Sequence, residues 1–128
     1  MAWSTSDHLK AYATDGFLSI YSENGATEYG LDTLFLLKGE LYTLTFTLRK
    51  VEGYYGPGPD DLDLTVYSSS GTITSASYST GALAGSVYTR TFTPDQKVTY
   101  IKFGVTSSAG DASRWFVWDV SCRTSITR

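Results

Sequence analysis

The chain has 128 residues, enough for one domain and too few for a second hydrophobic core. Its formal net charge is −3, and its 10 Lys and Arg residues are scattered rather than clustered. This distribution argues against nucleic acid as the main partner, because phosphate binding needs a concentrated basic surface. No apolar stretch approaches the roughly 20 residues of a membrane-spanning helix, so we also expect no membrane partner.

The composition favours strands. Aromatic residues make up 15% of the chain, and Tyr, Thr and Ser occupy most polar positions. Aromatic and β-branched side chains fit the pleated surface of a sheet. Residues 1–4 lack the features of a secretion signal, so we expect synthesis in the cytoplasm without a signal peptide. Cys122 is the one cysteine, so no internal disulfide can form.

Taken in chain order, short strands are predicted at residues 9–13, 17–21 and 33–37. The clearest strand follows at residues 40–49, where apolar and polar side chains alternate with a period of two, which is typical of a strand with one buried face. The same alternation predicts strands around residues 62–66 and 101–105, and weaker ones lie at 72–78 and 87–92. The predicted core consists of the apolar members of these patterns: Tyr42, Leu44, Phe46, Leu48, Leu62, Leu64, Val66, Ile101, Phe103 and Val105.

The last strand, residues 114–122, is apolar on both faces. We expect it to be central in a sheet or covered on its outer face. We assign Phe116, Trp118 and Val120 to the inner face and Trp115 to the outer one.

Turn residues separate the strands, and eight or nine short strands at this spacing predict an all-β fold. The expected architecture is a two-sheet antiparallel jelly-roll β-sandwich, formed by residues 1–128 as a single domain. Two segments look irregular. Residues 53–60 are rich in Gly and Pro, which oppose a regular strand, and residues 68–86 are rich in Ser, Thr, Gly and Ala, which indicates a mobile hairpin.

No catalytic machinery is recognisable. His8 is the one histidine, and no nucleophile motif accompanies it. One His and one Cys cannot supply a zinc site, and we expect Cys122 to act as a small buried hydrophobe. The sequence therefore predicts a protein that is not an enzyme and uses no cofactor.

The densest acidic cluster is Asp60, Asp61 and Asp63. Oxygen-rich clusters can hold calcium, and a pair of carboxylates can serve a glycosidase as acid and nucleophile. The favoured alternative is a solvated strand face that discourages edge pairing. No metal site is predicted, and Asp61 and Asp63 are only weak candidate ligands.

The aromatic residues provide the clearest binding signal, because sugar rings stack on exposed aromatic faces while polar groups bond their hydroxyls. The candidate ligand or partner contacts are Tyr54 and Tyr55 in the Gly/Pro segment, Tyr67 and Tyr100 on the polar sides of their strands, and Trp115. An equally favoured alternative is that these rings cover the core or fill a subunit interface.

Three stretches resemble the carbohydrate-binding-module branch of the galactose-binding-like sandwiches. They are a turn and strand at residues 37–46, an aromatic residue followed by Phe-Thr at residues 88–94, and a closing strand at residues 117–121. In that family, the closing strand often begins with an acidic residue that helps hold a structural calcium ion. Here Trp118 stands at that position, which leaves Asp119 as a weak candidate ligand, so we expect stability that does not depend on calcium.

Isolated domains of this kind also resemble small accessory proteins of tailed-phage particles. This resemblance implies a non-enzymatic virion accessory protein, a capsid decoration or tail appendage subunit at the virion surface. Its expected partners are other virion proteins or surface glycans, and its expected state is a homo-oligomer. Two alternatives stay open: a free-standing glycan-binding module associated with polysaccharide-degrading enzymes, and a glycan hydrolase using Asp60, Asp61 or Asp63.

Overall fold

Alternating apolar and polar residues produce the long strands of this chain. The structure is a computed structural model, and it describes residues 3–7, 11–14, 16–53, 56–57, 60–79 and 85–124. Within these ranges there is no helix, and hence none that could cross a membrane. The strands are β1 Ser4–Thr5, β2 Ala11–Thr14, β3 Phe17–Glu23, β4 Thr27–Phe35, β5 Tyr42–Gly53, β6 Gly56–Pro57, β7 Leu62–Ser68, β8 Gly71–Tyr78, β9 Ser86–Phe92, β10 Val98–Thr106 and β11 Ala112–Thr124.

The strands form two antiparallel sheets. Sheet A has the order β1-β4-β10-β7-β8, and sheet B has the order β2-β3-β11-β5, with β6 and β9 both pairing with β5. Strands that are far apart in sequence, such as β3 and β11, are neighbours in space, as in a jelly roll. The predicted two-sheet antiparallel sandwich is confirmed.

The core lies between the two sheets. All ten side chains predicted for it are buried, so this prediction is confirmed. Phe46 of sheet B meets Phe103 of sheet A edge to face, with ring centroids 5.2 Å apart, a geometry that aromatic pairs prefer. Leu18, Ile20 and Val117 extend the same cluster.

The first half of β11 has the reverse of the predicted faces. Trp115 is fully buried, whereas Phe116 and Trp118 are partly exposed on the outer side of sheet B. The Trp115 Nε1–H donates to the carbonyl oxygen of Asp60 at 3.2 Å, so the indole is buried with its polar atom satisfied. The prediction that Trp115 faces outward and contacts a ligand or partner is therefore wrong.

A β-bulge changes the faces near the end of β11. Trp118 pairs with Thr47 and Ser121 pairs with Thr45, so Asp119 and Val120 lie together opposite one residue of β5. Asp119 has a φ of 51°, in the left-handed region that few residues other than glycine adopt. Because of the extra residue, Val120 is partly buried and packs against the core.

Strand β4 begins well before the predicted strand at residues 33–37. Gly30 lies in its middle, and glycine is a weak strand former. A Cβ on Gly30 would stand 2.5 Å from Leu18 Cδ2, so glycine is what lets β4 of sheet A pack onto β3 of sheet B. The segment predicted to be a mobile hairpin contributes β8, which pairs with β7 along its length.

We predict that Phe46→Ala lowers the free energy of unfolding by about 3–5 kcal/mol, the usual result of truncating a buried phenylalanine. Phe35→Ala is the matched control, because Phe35 is 71% exposed and its loss should change stability by no more than about 0.5 kcal/mol. Urea unfolding of both variants measures the difference. Equal losses in the two variants would contradict the assignment of the core face.

Candidate functional site

The outer side of sheet B carries a cleft with a volume of about 540 Å³. Small-molecule sites commonly measure about 300–1,000 Å³. The side chains around it come from the start of β3, the middle of β5 and the bulged part of β11. We call it the aromatic cleft, and its described lining residues are Gly16, Phe17, Arg49, Phe116, Trp118, Asp119 and Val120.

Three aromatic rings form one side of the aromatic cleft. Phe17 begins β3 next to β11, where Phe116 and Trp118 point to the same side of the sheet. The Phe17 ring centroid lies 5.0 Å from that of Phe116 and 6.4 Å from that of Trp118. All three rings are partly exposed, so together they offer an apolar surface on which a sugar ring can stack.

The orientation of Trp118 depends on Gly85, the residue before β9. Gly85 has a φ of 90°, and a Cβ there would lie 2.6 Å from Trp118 Cζ2 and 2.9 Å from Thr47 Cγ2. The backbone therefore passes directly against the indole, which only glycine allows. This contact holds the ring in one position beside the aromatic cleft.

Two charged side chains line the aromatic cleft with the rings. Arg49 lies opposite Phe116 across the β5–β11 pair, and its Nε–H is buried without a hydrogen-bond partner. Asp119 is exposed at the bulge. An apolar surface with a few polar groups beside it is the usual composition of a small-molecule site.

Tyr67 and Tyr100 are brought together, but on the outer face of sheet A. They are directly opposite each other on β7 and β10, and their rings stack with centroids 5.0 Å apart. The pKa of Tyr67 is raised, mainly because burial disfavours its charged form and to a smaller extent because Tyr100 and Tyr29 lie nearby. Each ring covers one face of the other, which leaves less aromatic surface for a ligand. Tyr54 and Tyr55 lie outside the described residues.

Asp60 belongs to the interior. It is 8% exposed, its Oδ1 accepts the backbone N–H of Ser108 at 3.1 Å, and its Oδ2 accepts the hydroxyl of Ser113 at 2.8 Å. Its carbonyl oxygen accepts the Trp115 indole N–H. The residue therefore joins the start of β7 to residues 108–115 through hydrogen bonds, and it is not among the described residues that line the aromatic cleft.

Asp61 and Asp63 are exposed, as expected with Leu62 and Leu64 in the core. Asp63 accepts a hydrogen bond from the Ser77 hydroxyl at 2.6 Å. Within the described ranges, no three His, Cys, Asp or Glu side chains lie close enough together to hold a metal ion. Asp119 lies on sheet B, whereas Asp63 lies on sheet A, so the weak candidate ligands do not form one site.

Cys122 packs against the core as a partly buried side chain. Burial raises the pKa of its thiol to about 11. The thiolate is the nucleophilic form of cysteine, so at neutral pH this group is an apolar filler, as expected from the sequence. His8 lies outside the described residues.

The sequence patterns did not identify four residues of the aromatic cleft as site candidates: Phe17, Arg49, Phe116 and Trp118. The available signal was that the last strand is apolar on both faces, which means that one apolar face lies outside the core. Arg49 was seen only as one member of the polar face of β5. The cleft forms where strands that are distant in sequence pair, so the local sequence pattern did not show which outer face carries it.

No protein-family model and no curated protein matches the sequence. A family 4 carbohydrate-binding module is similar in structure, with a TM-score of 0.66 and 18% identity over 95% of this chain and 77% of that one. A family 61 carbohydrate-binding module in complex with β-1,4-galactotriose has a TM-score of 0.66 and 15% identity, over 95% of this chain and 88% of that one. Tailspike protein 4 of bacteriophage CBA120, in its enzymatically active domain, has a TM-score of 0.56 and 13% identity, over 95% of this chain but only 19% of that one.

At these identities the similarity establishes the fold. The chain has the jelly-roll fold of carbohydrate-binding modules, as the resemblance of its three short stretches implied, and a part of the phage tailspike shares that fold.

We predict that Asp60→Ala destabilises the protein by about 1–3 kcal/mol, because it leaves the buried Ser113 hydroxyl and the part-buried Ser108 N–H without their acceptor. Asp63→Ala is the control, since it removes one hydrogen bond at an exposed position. Thermal and urea unfolding measure both. An Asp60→Ala variant as stable as Asp63→Ala would contradict the structural role of Asp60.

Proposed function

We propose that this protein is a glycan-binding module that is not an enzyme, and that the aromatic cleft is its binding site. The observation that carries the proposal is the set of three partly exposed rings, Phe17, Phe116 and Trp118, beside the polar groups of Arg49 and Asp119 in one cleft. Sugars present an apolar C–H face and polar hydroxyl edges, so they need both kinds of group.

The strands that carry these residues hold the rings in place before a ligand binds, which lowers the entropy lost on binding. Phe116 and Trp118 lie on β11, which is paired with a strand on each side, and Phe17 is the first residue of β3, which is also paired on both sides. Gly85 further restricts Trp118. Side chains that are already held in position lose little conformational entropy when a ligand binds, so more of the contact energy appears as affinity.

The comparisons support this proposal. The fold is that of carbohydrate-binding modules, and one similar module was solved with a galactotriose. Hydrolysis has less support, because most glycosidases use two carboxyl groups that flank the scissile bond. Asp119 is the one carboxylate among the described residues of the aromatic cleft, and Asp60 is bonded inside the sandwich.

A virion accessory role is the second candidate, with a location at the virion surface. Its support is the similarity to part of a phage tailspike and a group of exposed apolar residues away from the aromatic cleft. These are Phe35, Leu37 and Leu41, which are 71%, 56% and 45% exposed, and they flank the turn between β4 and β5. A homo-oligomer or a capsid or tail partner would cover them.

We predict that Trp118→Ala weakens glycan binding at least tenfold, because aromatic residues at the centre of a site contribute about 2 kcal/mol or more. Tyr100→Ala is the matched aromatic control on the opposite sheet. Affinity electrophoresis against a panel of polysaccharides measures binding, and thermal melting verifies that both variants fold.

Loss of binding in Tyr100→Ala with full binding in Trp118→Ala would contradict the assignment and move the site to sheet A. A wild-type protein that binds no polysaccharide but sediments as a stable oligomer would favour the virion accessory role. Phe35→Ser should then dissociate the oligomer.

A further inference from the structure

Arg49 is an exception among the partly buried Lys and Arg side chains that the structure describes. Three other Lys and Arg side chains in the described ranges are partly buried, and each has a partner. Lys50 lies over the Trp115 ring at 5.5 Å, Lys102 lies over the Tyr29 ring at 5.1 Å, and Arg90 donates to Thr74 Oγ1 and to the carbonyl oxygen of Ser75. Arg49 has no such contact with the described residues, and its Nε–H is buried without an acceptor among them.

The guanidinium of Arg49 is available to a ligand. Arg49 is partly exposed and lines the aromatic cleft, so its side chain can meet a ligand there. Arg114, two residues from Phe116 on β11, is engaged differently, because its guanidinium lies 5.0 Å from the Tyr21 ring centroid. The aromatic cleft therefore contains an unpaired donor fork beside an apolar platform.

A planar carboxylate is the chemical group that fits this fork. Arginine binds carboxylates through two parallel charge-assisted hydrogen bonds, which are stronger than those to neutral oxygens. Pairing would also remove the penalty of a partly desolvated cation that has no counterion. Uronic acids are sugars that carry such a carboxylate directly on the ring.

Asp119 limits how much negative charge the ligand can carry. It lies in the bulge of β11, three positions after Phe116, the residue opposite Arg49. A second carboxylate near Asp119 would be repelled, whereas the hydroxyl groups of a neutral sugar can donate to it. The cleft is thus positive at one end and negative at the other.

We propose that the aromatic cleft selects glycans in which single uronic acid residues are flanked by neutral sugars. The uronate carboxylate pairs with Arg49, the ring stacks beside Phe116 and Trp118, and a neutral residue lies toward Asp119. This inference rests on the proposed function, and it specifies the ligand class of the same site.

The test begins with an array of neutral, sparsely acidic and uniformly acidic oligosaccharides. The tightest binder and its carboxyl-reduced, neutral counterpart are then compared by calorimetry in 50 mM and 300 mM NaCl. We expect the tightest binders to contain isolated uronates. Reduction of the carboxyl group should weaken binding at least tenfold in 50 mM salt, and the difference should narrow in 300 mM salt because screening weakens the ion pair.

The variants assign this preference to one side chain. Arg49→Gln should lose at least tenfold for the acidic ligand and clearly less for the reduced one, so that the preference for the acidic ligand disappears. Arg49→Lys keeps the charge without the fork and should recover only part of the loss. Arg123→Gln is the control, since Arg123 is an exposed arginine on β11 that does not line the cleft, and it should bind as wild type.

Two results would overturn the inference and leave the proposed function standing: neutral or uniformly acidic glycans as the tightest binders with Trp118→Ala still abolishing binding, or an unchanged affinity after carboxyl reduction. No binding to any glycan would instead defeat the proposed function, and this inference with it.

Discussion

Strand β11 is the constraint on which the rest of the structure depends. It pairs with β3 on one edge and β5 on the other, and it is apolar on both faces. One face closes the core with Trp115 and Val117, so the other face places Phe116 and Trp118 outside the core. The bulge at Asp119 then returns Val120 to the core and leaves Asp119 at the cleft. Aromatic rings that stay exposed together on the outer side of a sheet are typical of a binding surface.

Some buried polar groups of the sandwich have hydrogen-bond partners, and others do not. At one end, Ser22 and Ser107 bond to each other at 2.9 Å, and the carboxylate of Asp60 bonds to two donors, so these buried groups stabilise the loops. Arg49 has no acceptor for its buried Nε–H. Buried polar groups are nearly always paired in native proteins; among the described residues Trp3 Nε1–H is unpaired as well, but of the two side chains only Arg49 lines the aromatic cleft. This difference separates structural polar residues from those that we assign to ligand binding.

The sequence predicted those parts of the fold in which a strand has one polar face. Along β5, β7 and β10, threonine and charged residues mark the outer side, and every predicted core residue there is buried. The same method failed for Trp115, because β11 has apolar residues on both sides. It could not separate Asp60 from Asp61, because the hydrogen-bond partners of Asp60 lie 48 and 53 positions away. The cleft was missed for the same reason, since pairing across distant strands builds it.

The central claim is that glycans bind beside Trp118 on the outer side of sheet B. The chain has three tryptophans, so their indole N–H resonances report on three separate places in one NMR titration with a bound oligosaccharide. The account predicts that the Trp118 resonance shifts progressively with ligand. The Trp115 resonance should stay in place, because that N–H is bonded to Asp60 in the interior. Saturable binding with an unmoved Trp118 resonance, and with shifts confined to the Tyr67 and Tyr100 side of sheet A, would contradict it.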